Sequence, residues 1–509
     1  MRKTVLALLL SIIMLLFFSA CGKASEKAEN AVPVALRTGT GYKAEVNEAF
    51  DHVLVNLIYP LIALDEEDAK AYPALADAFQ ELNRQKKEEM LKRYDEAVED
   101  IYERLKYYPD SVSGSSIEET IMLRRADTSV VSLIFNGYSY TGGAHGMWYY
   151  WGENYDTKTG KKLALSDVVT DINILPDLVK KQLDLFWGHV GFYEDLDLKK
   201  YFQESQNLSW VLDCNGLTFF FNPYDLAPYA AGMQVVTLTY KENPDLIKEK
   251  YRMTASSYGV ELACDNPFFY DFDGDGTVDK LLVSGTGQEE SVFSGQSIQI
   301  NDQDLEEKMF AYKINPFFIH TASGNNYLYL EYQLDEGNRR LAVYDLSSGS
   351  ARKVKEFDHL GIHYVAMPSE EEYYPNKAVL TNPDNFLLDV YTDLISSIIG
   401  YTSYSVGPDG LPAAKNGLYT FDLPSRFSVT LEKKLKFDVV DQKSGKVTGT
   451  KTADAGETVY YYRTDNKSFA DFLLPDGSIG RVRIDVQGSA KTINGLALEK
   501  VLSDVVFIQ

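Results

Sequence analysis

The chain has 509 residues, with 74 acidic against 50 basic side chains and a formal charge of −24. A surface this acidic repels phosphates and excludes a nucleic-acid partner, while three Cys and six His leave little for a zinc site or a disulfide framework. Hydrophobic residues at 45% can build cores for roughly three folding units of ~150 residues, and 35 Tyr beside 4 Trp lean towards strands.

In chain order, Arg2 and Lys3 precede an apolar run from Val5 to Phe18. The run suits a signal-peptide core and falls short of the ~20 residues that span a bilayer. It ends in Phe18-Ser19-Ala20-Cys21-Gly22, which resembles the lipobox of bacterial lipoproteins, with Phe18 where Leu is usual. The resemblance implies a leader over residues 1–20 and diacylglycerol on Cys21. It also implies a lipid anchor that holds the chain at the extracellular face of the cell membrane. A secretory leader with a stray Cys is the other reading. Residues 21–40 read as a tether. Loss of Arg2 and Lys3 makes the remainder two units more negative than −24.

Residues 41–255 mix helical and strand periods. Leu75, Phe79, Leu82, Leu91, Tyr94, Val98, Ile101 and Leu105 recur at three- and four-residue steps between Pro73 and Pro109, predicting one long helix. Strands are expected at 129–135, 147–155, 217–221 and 235–240, and a second helix at 175–187. Without a regular βαβ alternation, this is an α+β module.

Three stretches here resemble one extracellular module. They are Arg125-Ala126-Asp127, Tyr138 to Gly146 (Tyr-Ser-Tyr-Thr-Gly-Gly-Ala-His-Gly) and Asn154 to Asp167; Phe221 to Gly232 adds a fourth. The module is similar to that of RsiV, a lysozyme-sensing anti-sigma factor, and to that beside the catalytic domain of PdaC, a peptidoglycan deacetylase. It is otherwise a domain of unknown function. The likeness implies a binding role towards a wall-active protein such as lysozyme, or towards peptidoglycan. The chain has neither the sigma-binding part nor the deacetylase metal signature of those proteins.

The motifs also read from their residues. In Tyr140 to Gly146 three Gly in five residues allow close backbone approach, so His145 either meets a ligand or holds a neighbouring carbonyl. Tyr224 and Tyr229 lie in a Pro- and Gly-bounded loop, as exposed ring platforms or as packed rings.

Residues 256–380 read as β-rich and hold the sharpest chemical signal, Asp271-Phe272-Asp273-Gly274-Asp275-Gly276-Thr277-Val278-Asp279. Carboxylates at positions 1, 3, 5 and 9, with the Thr277 carbonyl, offer the oxygens that Ca²⁺ takes. Leu282 at position 12 departs from an EF-hand, and strand-like flanks resemble the Ca²⁺ hairpin loops of integrin-type repeats. A metal-free acidic turn is the other reading. A further hairpin is expected around Asp335 to Asn338. Cys214 and Cys264 are the thiols beyond Cys21, either bridged or separately buried.

Residues 381–509 carry short strands at 427–431, 435–440, 458–462, 469–474 and 481–486, expected as a β-rich domain closed into a small SH3-like barrel. No Gly-x-Ser-x-Gly elbow, His-Glu-x-x-His motif or reactive Cys/His context appears, so no catalytic residue is assigned. The expected function is a membrane-anchored extracellular binding module. The alternatives are an accessory to a peptidoglycan-acting enzyme, or a structural surface protein.

Overall fold

Val34, Leu36 and Thr38 are buried at every second position, the period of a strand with one covered face. The computed structural model describes residues 31–47, 52–108, 114–204, 208–288, 292–364, 379–421, 428–503, 505 and 507. The leader and Cys21 lie outside the described residues. The tether expected over 21–40 ends earlier than its composition implies. Ala31, Val34 and Leu36 are buried, and β1 (Leu36–Asn47) is the first strand of a sheet.

β1 pairs antiparallel with β2 (His52–Leu64). A short helix α1 (Glu66–Ala71) then leads into α2 (Pro73–Tyr107). Pro73 opens α2, where its missing amide donor is tolerated. At 35 residues the helix runs ~52 Å. It returns the chain to β3 (Ser115–Ala126), which lies parallel to β2. β4 (Val130–Tyr140) and β5 (Met147–Asp156) complete a sheet in the order β1-β2-β3-β4-β5.

The two faces of this sheet are covered unequally. Ile121, Leu123, Leu133 and Phe135 point to α2 and pack on Leu75, Phe79 and Leu82. On the other face Met122, Ile134 and Tyr150 meet Val211, Phe220 and Val235 of a second sheet. That sheet is β6 (Ser209–Leu212), β7 (Gly216–Phe221) and β8 (Gln234–Thr239), backed by α3 (Leu175–Phe186) through Val179, Leu183, Phe219 and Val236. Three short strands do not cover five long ones, and part of the face stays open.

The central region is layered differently. β9 (Tyr258–Glu261) joins β14 (Lys313–His320), β15 (Asn326–Gln333), β16 (Arg339–Asp345) and β17 (Arg352–Asp358) in the order β17-β16-β15-β14-β9. Beside it lies a sheet of β10 (Phe268–Tyr270), β11 (Asp279–Thr286), β12 (Phe293–Ile300) and β13 (Gln303–Ala311). Phe318, Leu328, Leu330 and Tyr344 face that second sheet. Phe317, Ile319, Tyr329 and Leu341 face Leu360, Ile362, Phe386 and Leu388 on the opposite side. Burial on both faces explains the near-continuous apolar run Tyr327 to Tyr332.

Among the described residues the C-terminal strands do not close. Leu360–Ile362, Phe386–Thr392 and Ile398–Val406 continue through Tyr419–Thr420, Thr458–Thr464, Phe469–Leu473, Ile479–Arg483 and Leu435–Val440 to Val447–Ala453 in one open sheet. The expected SH3-like closure is therefore corrected: the sheet ends in Val447–Ala453, a mostly exposed strand with three Thr and a Lys, polar residues that protect a free edge. The chain is an α+β N-terminal part followed by a β-rich C-terminal half. Among the described residues no helix is long and apolar enough to cross a membrane.

Candidate functional site: an aromatic cluster beside an open sheet face

His145, Tyr224 and Tyr229 come together although two separate loops carry them. The His145 ring stacks on Tyr229 at 4.1 Å between centroids, and Tyr224 lies 5.8 Å from Tyr229. One backbone oxygen organises the contact. The Gly146 carbonyl accepts from the Tyr229 hydroxyl at 3.0 Å and from His145 Nδ1 at 3.0 Å. A carbonyl only accepts, so this bond places the proton on Nδ1. Tyr138 lies over Gly146, where a Cβ would come within 2.4 Å of its hydroxyl oxygen and the ring would have to shift.

The second loop is fixed by Asn222. Its amide accepts from the Tyr150 amide at 2.7 Å and donates to the Tyr150 carbonyl at 3.1 Å, stitching the loop to β5. Asp225 N donates to the Asn222 carbonyl at 2.9 Å, closing a turn with Pro223 and Tyr224 at its centre. Tyr224 takes φ 76°, a position that usually needs Gly, and its side chain is about half exposed. Burial raises the Asp225 carboxyl above its ordinary range.

The other motif residues hold the fold together. Arg125 is fully buried; its guanidinium donates to Asp127 at 2.6 Å and to the carbonyls of Tyr251 at 2.7 Å and Met253 at 2.6 Å. Arg124 forms a two-point pair with Asp213 at 2.7 and 2.8 Å. Asn154 accepts from Ser132 Oγ and the Leu212 amide and donates to the Trp210 carbonyl, joining β5 to β6.

The Asp-rich loop joins β10 to β11, with Gly274 and Gly276 at φ 77° and 100°. Carboxylate oxygens of Asp271, Asp273 and Asp275 lie within 4.8 Å of one another, and Asp271 Oδ1 is buried without a hydrogen-bond partner. Asp279 stands apart from that group. It accepts from the Phe272 amide at 3.0 Å and from Asn301 at 2.7 Å, locking the base of the hairpin. Lys241 Nζ contacts Asp271 Oδ2 at 2.5 Å, so one carboxylate already has a cation beside it. Thr277 donates its amide to Asp275 Oδ1 at 2.6 Å. Three carboxylates and one unpartnered oxygen fit a hard cation, with Lys241 as its competitor.

Cys214 and Cys264 are both free. Their thiols contact different carbonyls, those of Arg124 at 3.7 Å and Ile314 at 3.6 Å. Burial pushes the Cys264 thiol up to about 12.

Sequence reasoning missed a cleft of about 870 Å³ on the open face of the first sheet. Thr120, Asn136, Tyr138 and Trp148 line it from β3, β4 and β5, with Ala263 to Asn266 and Lys313 opposite. The signal was legible: Thr120 and Asn136 are polar positions on a face where alternation otherwise calls for core residues.

Residues 169–241 match the family described as protein of unknown function (DUF3298), so this domain is found across α3 to β8. Tyr224 and Tyr229 lie inside that match and His145 outside it. A solved DUF3298 family structure from Bacteroides fragilis NCTC 9343 is similar over 44% of this chain and 96% of its own, at 20% identity and TM-score 0.33. Another from Pseudomonas aeruginosa PAO1 covers 43% and 97%, at 16% identity and TM-score 0.30. No curated protein matches the chain.

Proposed function

We propose that the chain is a lipid-anchored extracellular binding protein that grips a wall-active protein of the lysozyme type, or peptidoglycan. The observation that supports this reading is the convergence of His145, Tyr224 and Tyr229 into one cluster on loops held by rigid strands. Aromatic rings presented this way give large contact area at little entropic cost, the usual character of an interface anchor. A charge of −24 steers a cationic protein towards the surface. Diacylglycerol on Cys21 keeps the chain where such partners act. Ca²⁺, held by Asp271, Asp273, Asp275 and the Thr277 carbonyl, rigidifies the hairpin over the base that Asp279 closes.

The test uses the chain from Gly22 onward, which retains every described residue. It is titrated with lysozyme and, separately, with purified peptidoglycan. The lysozyme arm should weaken as salt rises, since exposed charges are screened within ~10 Å at 0.1 M. Tyr224→Ala and Tyr229→Ala should each lower affinity. Absence of binding in both arms at low salt removes the proposal.

A further inference from the structure

The cleft on the open sheet face has a definite chemistry. Tyr138 and Trp148 are direct cross-strand partners, as are Asn136 and Tyr150, and all four line the same cavity. Cross-strand side chains lie about 5 Å apart, so Tyr138 and Trp148 are neighbouring rings on the lining, with the Asn136 amide two residues along β4. Thr38 lines the far end of the cleft from β1, with its hydroxyl buried. Asn266 enters from the opposite wall, donating to the Tyr150 hydroxyl at 2.9 Å.

The charges are few and mixed. Glu261 and Asp265 face one lysine, Lys313. A phosphate or polyanion needs a cluster of cations that this lining lacks. A purely apolar ligand would leave the amide of Asn136 unpaired at a cost. A peptide that binds by adding to a strand edge finds none here, since this floor is the face of a sheet and offers side chains only. Hydroxyl groups that both donate and accept, on rings whose faces stack on aromatics, suit the aromatic and amide part of the lining.

We propose that this cleft is a saccharide site, taking an uncharged chain of pyranose rings with one ring on Tyr138 and Trp148 and its hydroxyls on Asn136. The inference rests on the reading of the chain as a binding protein, but not on its anchor or on any protein partner. Its volume, about 870 Å³, lies in the range of small-ligand sites.

The experiment titrates the chain from Gly22 onward with cellotetraose, maltotetraose and chitotetraose, read by calorimetry and by tryptophan fluorescence. A neutral hexapeptide and inorganic polyphosphate serve as the competing classes. The expected result is saturable binding of at least one saccharide, with a fluorescence change that Trp148→Phe abolishes. Asn136→Ala, at a half-buried position, should weaken the same binding about tenfold without moving the melting temperature. Tyr224→Ala should leave it unchanged, which separates this site from the surface cluster and from failure of the lysozyme arm. No saturable response to any saccharide overturns the proposal. So does saccharide affinity unaltered by both Trp148→Phe and Asn136→Ala, or binding of the peptide or polyphosphate in their place.

Discussion

The first sheet and the central sheet have the same number of strands and opposite fates. β14 to β16 are covered on both faces, by Phe268, Leu281 and Ile298 on one side and by Leu360, Phe386 and Leu388 on the other. The first sheet is covered by α2 on one face and only partly by β6 to β8 on the other. The uncovered part holds Thr120, Asn136, Tyr138 and Trp148. Two packed faces make a strut; one incompletely packed face makes a site.

Substitutions inside the strut should therefore cost most. Phe318→Ala and Tyr329→Ala, each fully buried, are expected to lower stability by about 3–5 kcal/mol in urea unfolding. Asp127→Ala in the first module belongs in the same class, because it leaves the Arg125 charge buried and unpaired, again about 3–5 kcal/mol. Asn136→Ala on the open face should stay within about 1 kcal/mol of the parent. Equal losses at Phe318 and Asn136 would erase the contrast between the sheets.

The acidic hairpin sharpens the comparison next, since it hangs from the four-stranded partner of the strut. Chelation should lower the melting temperature and Ca²⁺, not Mg²⁺, should restore it; a ligand at a hundred times its Kd adds about 2.7 kcal/mol. Lys241→Ala removes the competing ammonium and should raise Ca²⁺ affinity. A melting curve indifferent to both chelator and Ca²⁺ counts against the metal.

A smaller effect concerns Asp156, at the end of β5. Burial raises its pKa, but hydrogen bonds from Lys250 and Thr159 outweigh this and leave it below its ordinary 3.8. A carboxylate with a lowered folded pKa adds stability that is present above 3.8. That stability is lost as the pH falls through the folded value. Asp156→Asn should destabilise at pH 6 and converge with the parent in acid, measured as melting temperature against pH. A constant offset down to pH 2 would mean that the ionised form contributes nothing.

Much of the fold was legible, and for identifiable reasons. The long helix shows in the steps of Leu75, Phe79 and Leu82, because one apolar stripe must meet a sheet. The hairpin at 326–345 shows in its alternation and its Asp335 to Asn338 turn. Closure of the C-terminal strands was not legible, since strand spacing is the same in an open sheet and in a barrel. Nor was the meeting of His145 with Tyr229, which depends on a carbonyl shared across 83 positions of sequence. The motifs that carry the family likeness drew attention to Arg125 and Asn154, yet these stitch strands together. The cleft residues are spread over separate strands, and apart from Tyr138 at the head of the Tyr138 to Gly146 stretch they show only as polar breaks in alternation, at Thr120 and Asn136.

Tyr224 is the place where the two sheets' lesson reduces to one residue. Its φ of 76° costs a tyrosine roughly 1 kcal/mol that glycine would not incur, and nothing in the turn demands an aromatic ring there. Strain of this kind persists where the surrounding structure enforces it, here through Asn222 and Pro223, and where the strained side chain serves a purpose. Tyr224→Gly should relieve the strain while loosening the unfolded chain, so stability should change by less than about 1 kcal/mol. Affinity for the partner of the aromatic cluster should nevertheless fall about tenfold. Unchanged stability with unchanged binding would assign the ring to neither fold nor site, and the half-exposed Tyr224 would lose its place in the cluster's function.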